Sequence, residues 1–179
     1  KKQIGTITGA VPEKTAAGYR FPVAMWSGQD FGPKEYGPKN DPLSPPKLCA
    51  GVFTKAKGGR ITSSAEMSLV FDLPESEAGK EAVLNLEGQD AISKGVAPHQ
   101  LKTKEITMMR ITLNGTVIYD GECGFAIHNW SRREFKIPAG VLKKENNSLV
   151  IRNTGYARGA FVYCWILISD AQLQFAGQQ

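Results

Sequence analysis

The sequence predicts an all-β fold, an antiparallel β-sandwich, on three observations. Asn114-Gly115 stands between two alternating apolar runs, Ile111 to Leu113 and Thr116 to Asp120. Both residues of that pair tolerate positive φ, which the tight turns of hairpins demand. Further on, Phe135 to Leu142 and Asn146 to Ile151 supply two more short apolar runs separated by a polar turn. Finally, nineteen Gly and ten Pro in 179 residues punctuate the chain too often for long helices. Short strands at this spacing, with no helix between them, are the pattern of a sandwich.

Taken in order, Gln3 to Thr8 reads as a short first strand. Residues 11–47 read as one long Pro/Gly-rich loop segment packed on the sandwich, because six of the ten prolines fall between Pro22 and Pro46. Proline removes a ladder donor and fixes φ, so such a stretch sustains neither a helix nor a central strand. Trp26, Phe31 and Tyr36 give it too much aromatic content for low-complexity disorder. Leu48 to Phe53 is a strand candidate, followed by the basic turn Lys55 to Arg60. Ala65 to Leu73 alternates cleanly and stops at Pro74. Glu75 to Glu81 is a polar loop, with a single helical turn starting at Ser76 and Glu77. Ala82 to Glu87 is a strand, and Gly88-Gln89-Asp90 reads as the turn that ends it. Ile106 to Leu113 leads into the Asn-Gly hairpin. Phe161 to Ile168 is apolar throughout, the mark of a strand buried on both faces. Ala171 to Phe175 is read as a separate last strand.

At 179 residues, a single domain spanning 1–179 is expected, large enough to bury a core. Apolar residues at 41% and charged residues at 22% are ordinary for a soluble globular chain. No run approaches the roughly 18 apolar residues of a membrane span. The chain opens at Lys1-Lys2 without a leader-like apolar stretch, as a processed protein or an excised module does. The net charge of +5 is dispersed along the chain, with no arginine-rich helix, zinc-finger spacing or RNA-binding aromatic motif. No nucleic-acid partner and no membrane partner are therefore expected. If the charge is adaptive, an anionic polysaccharide is the natural partner. Cys49, Cys123 and Cys164 form no CxxC pair, which argues against structural zinc. Cys164 reads as a buried thiol, and Cys49 with Cys123 is open as a disulfide in an oxidising compartment.

Catalytic constellations are scarce. The only histidines are His99, in a polar loop, and His128. There is no Gly-x-Ser-x-Gly elbow and no His-Glu-x-x-His motif. Glu66, Asp72, Glu87, Asp90 and Glu122 are the carboxylates from which a hydrolytic pair would be drawn. Tyr156 with Arg158, or His128 with Arg132, are the pairs a lyase would use. The expectation is a protein that is not an enzyme, with a small β-sandwich lyase or hydrolase as the alternative. A structural or interaction module is a second alternative.

The strand, Asn-Gly, strand, an insert carrying Trp130, Ile137-Pro138 and Asn146-Asn-Ser-Leu-Val-Ile151 together resemble the galactose-binding-like jelly roll of bacterial carbohydrate-binding modules. The resemblance covers roughly residues 65 to 176. It implies a secreted, extracellular or periplasmic, non-catalytic module that binds a polysaccharide or oligosaccharide and is linked in cis to a catalytic domain. Sugar sites combine an apolar stacking platform with a few directional polar groups. The insert Gly124 to Arg133 has both: Trp130 as platform, or else as a plug for the sandwich end, with His128, Asn129, Arg132 and Arg133 around it. Asn153, Tyr156 and Arg158, in the loop before the last strands, are candidates by resemblance and composition together. Trp26 and Tyr36 are secondary candidates, and Trp165 reads as core. No cofactor is expected beyond a structural calcium ion, which the resemblance allows. Glu66, Asp72 and Asp170 are its candidate oxygen ligands.

Overall fold

The computed structural model describes residues 11–21, 25–27, 56–57, 60–61, 66–92, 107–127, 129–156 and 164–176. At residues 27, 56, 57, 60, 61, 91, 92, 155, 156, 164 and 165 it describes the backbone alone. The expected strands at Gln3 to Thr8 and Leu48 to Phe53 lie outside the described residues.

Twelve strands are described: β1 (Glu13–Thr15), β2 (Gly18–Arg20), β3 (Trp26–Ser27), β4 (Ala56–Lys57), β5 (Arg60–Ile61), β6 (Glu66–Phe71), β7 (Ala82–Ile92), β8 (Thr107–Leu113), β9 (Thr116–Glu122), β10 (Ser131–Ile137), β11 (Asn147–Tyr156) and β12 (Cys164–Phe175). They form two five-stranded sheets, β1-β2-β12-β7-β10 and β3-β6-β11-β8-β9, with β4-β5 as a separate ribbon. Neighbouring strands pair antiparallel throughout. This is the antiparallel β-sandwich expected from the sequence. A 3-10 turn stands at Glu75–Glu77, where one helical turn was expected.

Alternation builds the core. In β6 the buried positions are Met67, Leu69 and Phe71; in β8 they are Met109, Ile111 and Leu113. Leu84 and Leu86 of β7 and Ile166, Ile168, Ala171 and Leu173 of β12 face them from the other sheet. Burying such side chains stabilises by roughly 1.5–3 kcal/mol each, so the two inner faces carry most of the fold. Arg133, at the inner face of β10, closes one lateral seam. Its guanidinium stacks on Tyr119 and Phe135 at 4.8 and 4.9 Å, and donates to the carbonyls of Glu122 (3.0 Å) and Cys123. At the other lateral side, the rings of Phe21 and Phe71 meet at 4.7 Å.

Four readings of the sequence are corrected here. Gly88-Gln89-Asp90 is not a turn, since β7 continues unbroken to Ile92. Glycine stands at 88 because a Cβ there would lie 2.8 Å from the Phe125 ring and from the Leu167 carbonyl oxygen. The run Phe135 to Leu142 is not one strand, since β10 begins at Ser131, takes in Arg132 and Arg133 of the expected insert, and ends at Ile137 before Pro138. Phe161 to Ile168 and Ala171 to Phe175 are not two strands. β12 runs from Cys164 to Phe175 through a bulge between Ile168 and Asp170. Lastly, the segment read as loop from residue 11 begins with a hairpin, β1-β2, whose second strand pairs with β12.

Candidate functional site

The two ends of the sandwich are built differently, and of the expected site residues Asn129, Trp130 and Arg132 fall toward one of them. The opposite end is a knot of turns. Asn114 and Gly115 take φ of 52° and 82°, the left-handed pair that a two-residue hairpin turn requires. Asn114 then reaches across: its Nδ2 donates to the Val141 carbonyl (2.7 Å) and to Asn147 Oδ1 (2.9 Å), while its Oδ1 accepts from the Ser148 backbone N–H (2.8 Å). Asn147 is fully buried and also donates to the Lys143 carbonyl (2.6 Å) and accepts from the Lys143 N–H (2.8 Å). The two sequence motifs that signalled the fold therefore meet in space.

At the other end, Asp90 of β7 and Thr107 of β8 face one another across the sheets. Asp90 is 6% exposed and Thr107 1%. The Thr107 hydroxyl donates to Asp90 Oδ1 at 2.9 Å. Burial disfavours the charged carboxylate and outweighs this bond, so the Asp90 pKa is pushed up to about 6. The Asp90 backbone N–H donates to the Ala126 carbonyl (3.1 Å), and the Ala126 N–H donates to Ser131 Oγ (2.8 Å). These bonds pinch the base of the loop between β9 and β10. The loop thus presents Asn129, which is exposed, and Trp130, which is half-buried, at the head of β10.

Arg132 follows on the outer face of the sheet. It lies opposite Glu87 in the β7 register and donates to its carboxylate at 3.2 Å, yet its side chain is 73% exposed. Glu87 is held from behind by Ser169 Oγ at 2.7 Å. The guanidinium is thus oriented while remaining open to solvent. Arg133 points the other way, into the seam described above, and its donors go to the Tyr119 hydroxyl and to the Glu122 and Cys123 carbonyls.

The remaining candidates scatter. Asn153, expected in a loop, is 3% exposed within β11, beside a register shift between Asn153 and Gly155. Tyr156 is the last residue of β11, paired with Thr107, so its backbone reaches the Asp90 end. Its side chain, Arg158, His128 and Tyr36 lie outside the described residues, as do Cys49, His99 and the side chains of Cys164 and Trp165. Cys123 is buried. Trp26 sits on the edge strand β3, opposite Leu69, and packs partly buried against the core. That edge is on the far lateral side from β10, so Trp26 and Trp130 do not share a platform.

The candidate calcium ligands are not brought together. Glu66 pairs with Arg152 at the start of β6. Asp72 lies past the strand's other end, roughly 20 Å away along an extended chain, and accepts the Asn146 backbone N–H at 2.7 Å. Asp170 belongs to the other sheet and binds Arg20 at 2.8 Å. Among the described residues no group of three or more His, Cys, Asp or Glu side chains could hold a metal ion. Asp90 is the residue whose role sequence reasoning missed: the Gly-Gln-Asp string read as turn chemistry and hid an inward-facing strand position.

No protein-family model matches the chain, and no curated protein matches it. Solved structures do resemble it. The K1 cleaved adhesin domain of Lys-gingipain from Porphyromonas gingivalis W83 shares 13% identity at a TM-score of 0.49, over 88% of this chain and 94% of that one. A family 35 carbohydrate-binding module from Clostridium thermocellum shares 13% identity at 0.42, over 70% and 88%. The CBM36-1 domain of a multidomain xylanase from the hindgut metagenome of Trinervitermes trinervoides shares 12% at 0.38, over 72% and 93%.

Proposed function

We propose that this chain is a non-catalytic carbohydrate-binding module that holds an attached enzyme against a polysaccharide. The observation that carries the reading is the head of β10, where half-buried Trp130 stands between exposed Asn129 and an Arg132 oriented by Glu87. An indole ring offers a flat apolar face for the C–H side of a pyranose. A guanidinium already fixed in place donates to hydroxyls or carboxylates with little ordering to do on binding. The net charge of +5 and the exposed guanidinium favour an acidic glycan over a neutral one at this end. A weak contact of this kind is useful through tethering, which raises the effective concentration of a linked catalytic domain at its polymer.

Among the described residues, the raised pKa of Asp90 is the feature that resembles an enzyme's general acid. Its position argues against that role. The carboxyl lies between the sheets, 6% exposed and bonded to Thr107, where no glycosidic oxygen reaches it. Among the described residues no helix is long and apolar enough to cross a membrane.

Affinity electrophoresis against neutral and acidic polysaccharides tests the reading. Retardation by at least one polymer, abolished in a folded Trp130→Ala variant, is the expected result. Free migration of the wild type through every gel would refute it.

A further inference from the structure

The outer face of the first sheet carries, at the end away from Trp130, a cleft of about 760 Å³. Its floor is a transverse row of register partners, Gln174 of β12, Val83 of β7 and Lys136 of β10. Glu81 and Pro138 lie at its rim, both exposed, and Ala17 of the β1-β2 turn closes one side. We propose that this cleft is a second carbohydrate-contact site, one that takes an uncharged, polyhydroxylated ring. The proposal rests on the carbohydrate-binding reading and adds to it a place and a ligand class.

The lining selects the class. Val83, Pro138 and Ala17 give an apolar bed, while Gln174, Lys136 and Glu81 supply an amide, an ammonium and a carboxylate around it. One cation and one anion at the same rim cancel at a distance, so neither an anion nor a metal ion is favoured. Hydroxyls both donate and accept, and all three groups can meet them. Lys136 is exposed and has no ion-pair partner among the described residues, so its donors are available. A polypeptide fits less well. The cleft lies over the face of the sheet, across β12, β7 and the edge strand β10, and an added strand pairs in the plane of a sheet at its edge rather than over its face.

The neighbouring row extends the surface toward Arg132. Its register partners are Arg20, Gln172, Asn85 and Glu134. Asn85 Nδ2 is buried without a hydrogen-bond partner among the described residues. Such a donor is unfavourable as it stands, and a hydroxyl that displaces a flanking side chain would satisfy it. From Lys136 to Arg132 along β10 is about 13 Å, the reach of a short oligosaccharide. A glycan bound in the cleft therefore points along the sheet toward the Trp130 end.

The test is backbone amide NMR of the whole chain, titrated separately with cellohexaose, xylohexaose and a galacturonate hexamer. The wild type, Trp130→Ala and the Lys136→Ala/Gln174→Ala pair are compared, each checked for an unchanged spectrum without sugar. Shifts at residues 81–83, 136–137 and 174–176 with a neutral hexamer, retained in Trp130→Ala and weakened about tenfold or more in the double variant, are the expected result. Shifts confined to residues 126–132 would overturn the second site and leave the carbohydrate reading standing. Shifts at the cleft alone would support the second site and remove Trp130 as the primary one. No shift with any hexamer would overturn both.

Discussion

Two polar clusters cap the two ends of this sandwich, and they differ in what their burial does. At the Asn114 end the buried amides form a neutral network in which Asn147 meets backbone and side-chain partners, and the buried carboxylate nearby, Glu77, is paired with Lys80. Satisfied neutral networks fix geometry and add stability. At the Trp130 end the buried group is the Asp90 carboxyl, bonded to Thr107 and carrying a pKa raised to about 6. Near neutral pH that end holds a charge where charge is disfavoured. One end is built for architecture, and the other accepts a local instability beside the loop that presents Trp130, as functional sites commonly do.

The contrast can be broken by substitution, and the largest effect is expected at the first end. Asn147→Ala removes bonds to Asn114, Phe71 and Lys143 at once. It should destabilise by about 3 kcal/mol or more, read as a lowered midpoint in urea with the slope unchanged. A loss below about 0.5 kcal/mol would show that the turn knot is incidental.

Asp90→Asn should act in the opposite direction. The unfolded carboxyl titrates at the ordinary value of 3.8 and the folded one at about 6. Between those values the native state holds a proton that the unfolded state lacks, so this group's contribution to stability is greatest below 3.8 and is lost as pH rises through 6. The wild type at pH 7 then bears a penalty of about 2–3 kcal/mol from this group. The Asn variant keeps an acceptor for Thr107 without the charge. It should be more stable at pH 7 and should lack the decline between pH 4 and 6. Equal pH profiles for the two proteins would contradict the assigned environment.

Gly88→Ala comes next. Its new methyl meets the Phe125 ring and the Leu167 backbone oxygen at 2.8 Å. An overpacking penalty of about 1–3 kcal/mol is expected, with shifted amide signals around residues 123–127. Arg132→Ala should be the mildest. Its bond to Glu87 is solvent-exposed, so unfolding free energy should change by less than about 1 kcal/mol while retardation by acidic polysaccharide falls. A large stability loss with unchanged retardation would recast Arg132 as structural.

How much of this was legible in the sequence follows the same division. Asn114-Gly115 was readable because positive φ leaves few residues to choose from, and turn chemistry is local. The Trp130 end was not, because its signals depend on long-range packing. Gly88 and Asp90 are turn formers by composition, yet the first makes room for Phe125 and the second faces Thr107 on another sheet. Arg132 and Arg133 look like a solvated pair, but strand alternation sends one outward to Glu87 and the other into the Tyr119 seam. The hairpin at residues 13–20 was hidden by the proline-rich stretch that follows it.

The most direct test of the central claim, carbohydrate binding at the head of β10, is calorimetric titration of three folded proteins with an acidic polysaccharide that retards the wild type. These are the wild type, Trp130→Ala and Glu75→Ala, the last an exposed ion-pair change at the opposite end. The account predicts unchanged affinity for Glu75→Ala and a loss of about tenfold or more for Trp130→Ala. Equal affinity in all three would contradict it.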